Sequence, residues 1–123
     1  DSVEACAEPI RGYAALYIGG MGSREQNFYH RLARRMGFEK EAGEIQDLYL
    51  DKKYAEAAAA VPLDFIDRTS LIGPIDRIAD RMQALAASGV TTVNVSSYGG
   101  DLDERRATLR SLAEALEKSG VGD

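Results

Sequence analysis

Hydrophobic positions recur at helical spacing over most of this chain and switch to strand-like runs in its last third. Val3, Cys6, Ala7, Ile10, Ala14, Tyr17, Ile18 and Met21 predict a first helix, with Asp1-Ser2 before it as a cap. Pro9 and Gly12 interrupt the pattern and predict a kink near Glu8. The run Ala14 to Ile18 also reads as a short strand, because a short apolar run fits either period. Gly19, Gly20 and Gly22 end the element. Ser23 and Gln26 have capping-box spacing and predict a second helix, with Phe28, Tyr29, Leu32, Ala33 and Met36 on one face. Gly37 suits the position after that helix, and Phe38 covers its last turn. A third helix is expected from about Lys40 to Leu50, with Ala42, Ile45, Leu48 and Tyr49 inward. Asp51 to Ala60 reads as a short alanine-rich helix that Pro62 ends, and Leu63, Phe65 and Ile66 as an apolar turn.

Two strand-helix units follow. Residues 69–72 read as a strand, and Gly73-Pro74 opens a helix with the stripe Ile75, Ile78, Ala79, Met82, Leu85 and Ala86. Gly89 stops it, residues 90–96 read as a second strand, and Asp101 opens a final helix with Leu102, Leu109, Leu112, Ala113 and Leu116. Strand, crossover helix and strand make a parallel βαβ unit. Parallel strands are buried on both faces, and nothing else in the chain completes their sheet. The expected fold class is therefore α/β, mostly helical with two short parallel strands. The expected organisation is a single domain fragment, with a helical region at 1–68 and the last two β/α units at 69–123.

Composition narrows the classes. With 123 residues the chain suits one domain, and 45% hydrophobic with 28% charged residues is ordinary for a globular protein. The net charge of −5 repels phosphate backbones and argues against a nucleic-acid partner. No apolar run spans a bilayer and no basic-start leader is present, so no membrane partner and a cytoplasmic location are expected. One cysteine and one histidine leave no zinc site, and Cys6 is expected as a small buried hydrophobe.

Candidate chemistry is sparse. Gly19-Gly20-Met21-Gly22-Ser23 precedes a helix and reads either as an anion-binding loop or as a tight helix-helix turn. It matches neither dinucleotide nor P-loop spacing. His30 lacks an evident nucleophile or orienting acid, so it reads as a packing or surface residue. Glu39, Glu41, Glu44 and Asp47 read as solvent-facing charges. Ser96, Ser97, Tyr98, Gly99 and Gly100 follow the second expected strand, where parallel α/β folds bind ligands; the plain alternative is a strand-to-helix loop. Arg68 flanks the first expected strand and reads as an anion holder or a surface charge.

Several stretches carry a family resemblance. They are Leu16 to Ser23 (LYIGGMGS) with Asn27-Phe28-Tyr29, Ile45 to Leu50 (IQDLYL), Ala58 to Pro62 (AAAVP), and Leu71-Ile72-Gly73-Pro74 leading to Gly89-Val90-Thr91-Thr92. In order and spacing they resemble the luciferase-like monooxygenase superfamily, and within it the oxidoreductases that use the deazaflavin coenzyme F-420. The resemblance implies the C-terminal fragment of a (β/α)8 TIM barrel roughly twice this length or more. Residues 69–72 and 90–96 would be its last two strands. It implies hydride transfer between coenzyme F-420 and an unknown organic substrate, with an FMN-dependent monooxygenase as the alternative. A non-enzymatic helical interaction module remains the reading from a different class. The resemblance places Ser96, Ser97 and Tyr98 at the cofactor-bearing face; Gly99 and Arg68, from the strand-end reading, join them as expected cofactor-binding residues. No catalytic residue carries over, because the early strand ends that supply them lie upstream. The implied partners are the missing N-terminal barrel half and a second copy. The isolated piece is expected to be inactive and poorly stable.

Overall fold

The computed structural model describes residues 2–122. Its helices are α1 (Val3–Ala15), α2 (Phe28–Arg35), α3 (Glu39–Leu50), α4 (Tyr54–Ala59), α5 (Leu63–Thr69), α6 (Ile75–Ala87) and α7 (Leu102–Ser119). A π-helical turn, Leu16–Gly20, prolongs α1, so the run Ala14 to Ile18 is helical rather than a strand. The chain divides into two compact units. One is Glu4–Ser70; the other is Leu71–Asp123 with Asp1–Val3.

In the first unit the core is built from small and branched side chains. Ala7, Ala15, Ile18, Ala33, Ala42, Ile45, Ala57, Val61, Phe65 and Ile66 are buried. Alanines at helix crossings let backbones approach closely, and the closest approach is made without any side chain. A Cβ on Gly19 would lie 2.6 Å from Tyr49 Cβ, and one on Gly20 would collide with the Tyr49 ring. The π-turn therefore lies directly on α3. Gly19 and Gly20 thus make the helix-helix contact, while Gly22 lies in the turn that follows.

The second helix begins four residues later than its capping box suggests. Gln26 N does donate to Ser23 Oγ, at 3.1 Å, but this closes a turn. Asn27 is the true N-cap: its Oδ1 accepts from His30 N at 2.9 Å. Its Nδ2 donates to Tyr17 O at 3.1 Å and to Ile18 O at 3.0 Å, and the residue is 2% exposed. Of the apolar face expected on α2, only Ala33 is buried; Phe28, Tyr29 and Leu32 stay exposed.

Helix ends follow local chemistry. At α2, Gly37 takes φ +97° while Phe38 N donates to Ala33 O and Gly37 N to Arg34 O. The same paired bonds close α6, with Gly89 at φ +94°, Val90 N on Leu85 O and Gly89 N on Ala86 O. This is the Schellman arrangement, in which a left-handed residue turns two free carbonyls back onto amides. α3 ends identically but with Lys52 at φ +62°.

The expected parallel strands are absent: no strand forms among the described residues. The α/β barrel-fragment fold is corrected accordingly to an all-helical arrangement. Residues 63–69 are α5, and Thr69 is its last residue, with Oγ1 donating to Phe65 O at 2.8 Å. Residues 90–96 carry no ladder, and Val90, Val93 and Val95 remain 40–46% exposed. The reason is that β-propensity reports fitness for a pleated, covered surface, and these residues have no strand beside them to complete one.

In the second unit α6 packs on α7, and the last turn of α7 lies against α6. Asp76 in the first turn of α6 meets Lys118 in the last turn of α7 at 2.7 Å, and Gln83 Nε2 donates to Ser119 O at 2.9 Å. The carboxylate raises the Lys118 ammonium above its ordinary value. α7 turns Ala115 and Ser119 inward, with Thr108 and Leu112 half-buried. Leu102, Leu109 and Leu116, expected as its apolar face, are exposed.

Two outcomes follow from Asn27 and the glycine contact. Asn27→Ala removes a cap and strands two backbone carbonyls, and should lower stability by about 2–3 kcal/mol in urea unfolding. Gly20→Ala should cost about 1–3 kcal/mol through overpacking, and much less in a Tyr49→Ala background, which a double-mutant cycle measures.

Candidate functional site

The four residues expected at a cofactor, Ser96, Ser97, Tyr98 and Gly99, lie in the non-repetitive segment that runs into α7. The segment is tied down by the start of that helix. Asp101 caps α7 by accepting from Glu104 N at 2.8 Å, while Glu104 Oε2 accepts from Gly100 N at 2.7 Å. Arg105 Nε donates to Gly99 O at 3.1 Å. A Cβ on Gly99 would sit 3.0 Å from Arg105 Cγ and 3.1 Å from Arg105 N, so glycine allows the loop to lie against the helix. Ser96 and Tyr98 are exposed and Ser97 is half-buried.

Arg68 belongs to the other unit. Its Nη1 donates to Met36 O at 3.2 Å, the guanidinium lies 5.5 Å from the Phe38 ring centroid, and Asp64 is 3.9 Å away. Phe38 in turn meets Phe65 edge-on at 5.6 Å. These contacts make Arg68 a brace across the end of α2. Cys6 is half-buried rather than fully enclosed.

A groove on α2 lies outside the residues that sequence reasoning singles out. Arg31, Arg34, Arg35 and Glu39 line an open cavity of about 310 Å³. Arg34 pairs with Glu39 at 2.7 Å, whereas Arg24 is engaged by Asp47. The signal that could have found it is the spacing i, i+3, i+4, which puts residues 31, 34 and 35 on neighbouring positions of one helical surface.

His30 sits in the first turn of α2 with Nδ1 buried and without a hydrogen-bond partner. Burial lowers its pKa below the ordinary 6.5, and the Arg34 charge lowers it further; the nearby Ile18 backbone opposes them more weakly. In the same unit Tyr17 meets Tyr29 edge-on at 4.7 Å, and the Tyr13 and Tyr17 hydroxyls are 2.8 Å apart. Tyr17 is raised above its ordinary value, chiefly by that hydroxyl bond.

Residues 1–92 match the family model described as luciferase-like monooxygenase. The chain belongs to the luciferase-like monooxygenase family. It is similar, at 34% identity over 97 residues, to a Mycobacterium tuberculosis protein provisionally named as a coenzyme F-420-dependent oxidoreductase. That alignment covers 79% of this chain and 28% of the relative, so the chain spans under a third of the relative's length. No solved structure matches significantly. Within the luciferase-like region lie the π-turn, Asn27, His30, the arginine groove and Arg68; Ser96 to Gly99 fall beyond residue 92. No helix among the described residues is long and apolar enough to cross a membrane.

The lowered pKa of His30 has a pH consequence. The unfolded chain binds the proton more tightly than the fold does, so the His30 contribution to stability is complete above about pH 6.5 and is lost as pH falls below it. The urea midpoint should therefore drop between pH 7 and pH 5.5, and His30→Gln should flatten that drop. Carboxylate protonation takes over only at lower pH.

Proposed function

We propose that this chain is part of an oxidoreductase that moves a hydride between coenzyme F-420 and an organic substrate. The observation that carries the reading is the 34% identity over 97 residues to the provisionally named F-420-dependent relative. The family itself supports the coarser statement, a luciferase-like oxidoreductase. Bound deazaflavin would supply the hydride acceptor at its C5, and the protein would supply orientation and electrostatics.

The residues at hand do not by themselves fit a tricyclic ring. Ser96 and Tyr98 are exposed, and the backbone of Gly99 and Gly100 is already engaged by Arg105 and Glu104. Ser96, Ser97 and Tyr98 are thus proposed as groups near the ligand, and no proton or hydride step is assigned to them. Arg68 is proposed likewise as a group near the ligand, with its guanidinium already engaged by Met36, Phe38 and Asp64.

A second reading is favoured by the description of the family match, luciferase-like monooxygenase. On that reading reduced FMN and oxygen replace the deazaflavin. The choice is made by fluorescence titration of the full-length polypeptide carrying these residues with each flavin. Saturable binding of F-420 but not of FMN is expected; FMN binding without deazaflavin binding overturns the first reading. The 123-residue chain alone should show no turnover of either cofactor, and turnover by it would move the catalytic groups into this segment.

A further inference from the structure

The groove on α2 gathers more positive charge than helix-end electrostatics alone places there. Three guanidinium groups, from Arg31, Arg34 and Arg35, line it with one carboxylate, Glu39. Glu39 is 2.7 Å from Arg34 Nη2. That pair straddles the Gly37-Phe38 turn and fixes one wall of the groove. Arg31 and Arg35 have no ion pair and no side-chain hydrogen bond among the described residues. They stand four residues apart on one helix, a spacing at which like charges repel. The groove therefore carries a formal charge of about +2 in a chain whose net charge is −5.

Charge elsewhere in this unit is placed differently. Arg11 is paired with Glu8 and also donates to Val61 O. Arg24 is paired with Asp47, and Arg68 braces Met36 O. Arg31 and Arg35 alone among these arginines face an open volume of about 310 Å³, at the lower end of ligand-sized clefts. Guanidinium forks suit two-oxygen recognition, and two unpaired forks with a third braced beside them suit an oxyanion of charge near −2.

We propose that Arg31 and Arg35, with Arg34 held by Glu39, form a binding site for a doubly charged oxyanion such as a phosphate monoester. The shared chemistry is a tetrahedral or planar group presenting two or more anionic oxygens; a phosphate ester and a dicarboxylate are its two sources. The site stands independently of the oxidoreductase reading, because it is defined by charge and shape and is probed without any flavin.

The test follows the arginine Nε–H resonances of the chain by NMR during titration with methyl phosphate, with glutarate, and with sodium chloride at matched ionic strength. Arg31 and Arg35 should shift saturably with methyl phosphate, and Arg106 and Arg110 on α7 should not. Arg31→Gln with Arg35→Gln should weaken binding by about tenfold or more while circular dichroism stays unchanged, since both positions are exposed. Arg31→Lys with Arg35→Lys should weaken it less, because charge remains while the fork is lost. Saturation by glutarate but not phosphate identifies the ligand as a dicarboxylate and supports the site. Shifts equal to those with chloride, or unchanged in the glutamine variant, overturn it.

Discussion

The side chain of Asn27 is the constraint on which the larger unit depends. It makes three hydrogen bonds at once, accepting from His30 N and donating to the carbonyls of Tyr17 and Ile18. One end of the amide starts α2. The other end satisfies two carbonyls of the π-turn, where the helix ends and has no further N–H to offer them. A buried amide with unpaired ends costs a few kcal/mol, so its full satisfaction is a strong specification of one geometry. With that geometry set, Gly19 and Gly20 are pressed onto Tyr49, and α3 is positioned against both α2 and the turn. Gln46, also buried, adds a bond to Arg24 O at 3.3 Å on the same side of α3. π-turns inside helices often mark functional positions. Here the same amide that caps α2 ties the turn to its first residues, and the burial this creates around His30 lowers the affinity of the lone histidine for a proton.

Features set by neighbours along the chain are legible from the sequence alone. Gly37 and Gly89 end helices because a left-handed residue closes the Schellman bonds, and that requirement is local. Asp101 caps α7 for the same kind of reason. The helix expected from about Lys40 to Leu50 falls within a residue of α3. The start of α2 is harder to place, because two capping signals, Ser23 and Asn27, compete within five residues. The winner is the one whose second end finds buried carbonyls, which is tertiary information. α5 is hidden by its length: seven residues after Pro62 show too little of a period to separate helix from apolar turn.

The strands fail for a deeper reason. A stretch such as Val90-Thr91-Thr92-Val93-Asn94-Val95 states a preference, and a sheet needs neighbours that satisfy its amides. Val90 N is used instead to close α6 on Leu85 O. The candidate cofactor residues after it are placed by the end of that expected strand, and without the strand they lie in a loop. That loop is held by Glu104 and Arg105 on α7, a bracing that sequence spacing does hint at, since Asp101 and Glu104 have capping-box separation. The leucines of α7 suggest one face, yet Ala115 and Ser119 are what α6 covers. Small residues win at close helix contacts because they permit short interaxial distances, while leucines keep helices apart.

Charge placement separates ordinary from unexplained positions. Acids occupy first turns, with Glu39 and Glu41 in α3, Asp64 in α5, Asp76 in α6 and Asp103 and Glu104 in α7. Bases occupy last turns, with Arg34 and Arg35 in α2, Arg68 in α5 and Lys118 in α7. The helix dipole accounts for this arrangement, at about 0.3–1 kcal/mol per well-placed charge. Arg31 does not conform. It lies in the body of α2, outside the last turn, and it repels Arg35 by about 0.2–0.5 kcal/mol in an exposed helix. Arg34 and Arg35 alone would be helix-end decoration; Arg31 makes them a cluster with a shape. A residue that local electrostatics disfavours, beside an open groove and inside the region shared with the luciferase-like family, is where a requirement from outside the fold is most readily seen.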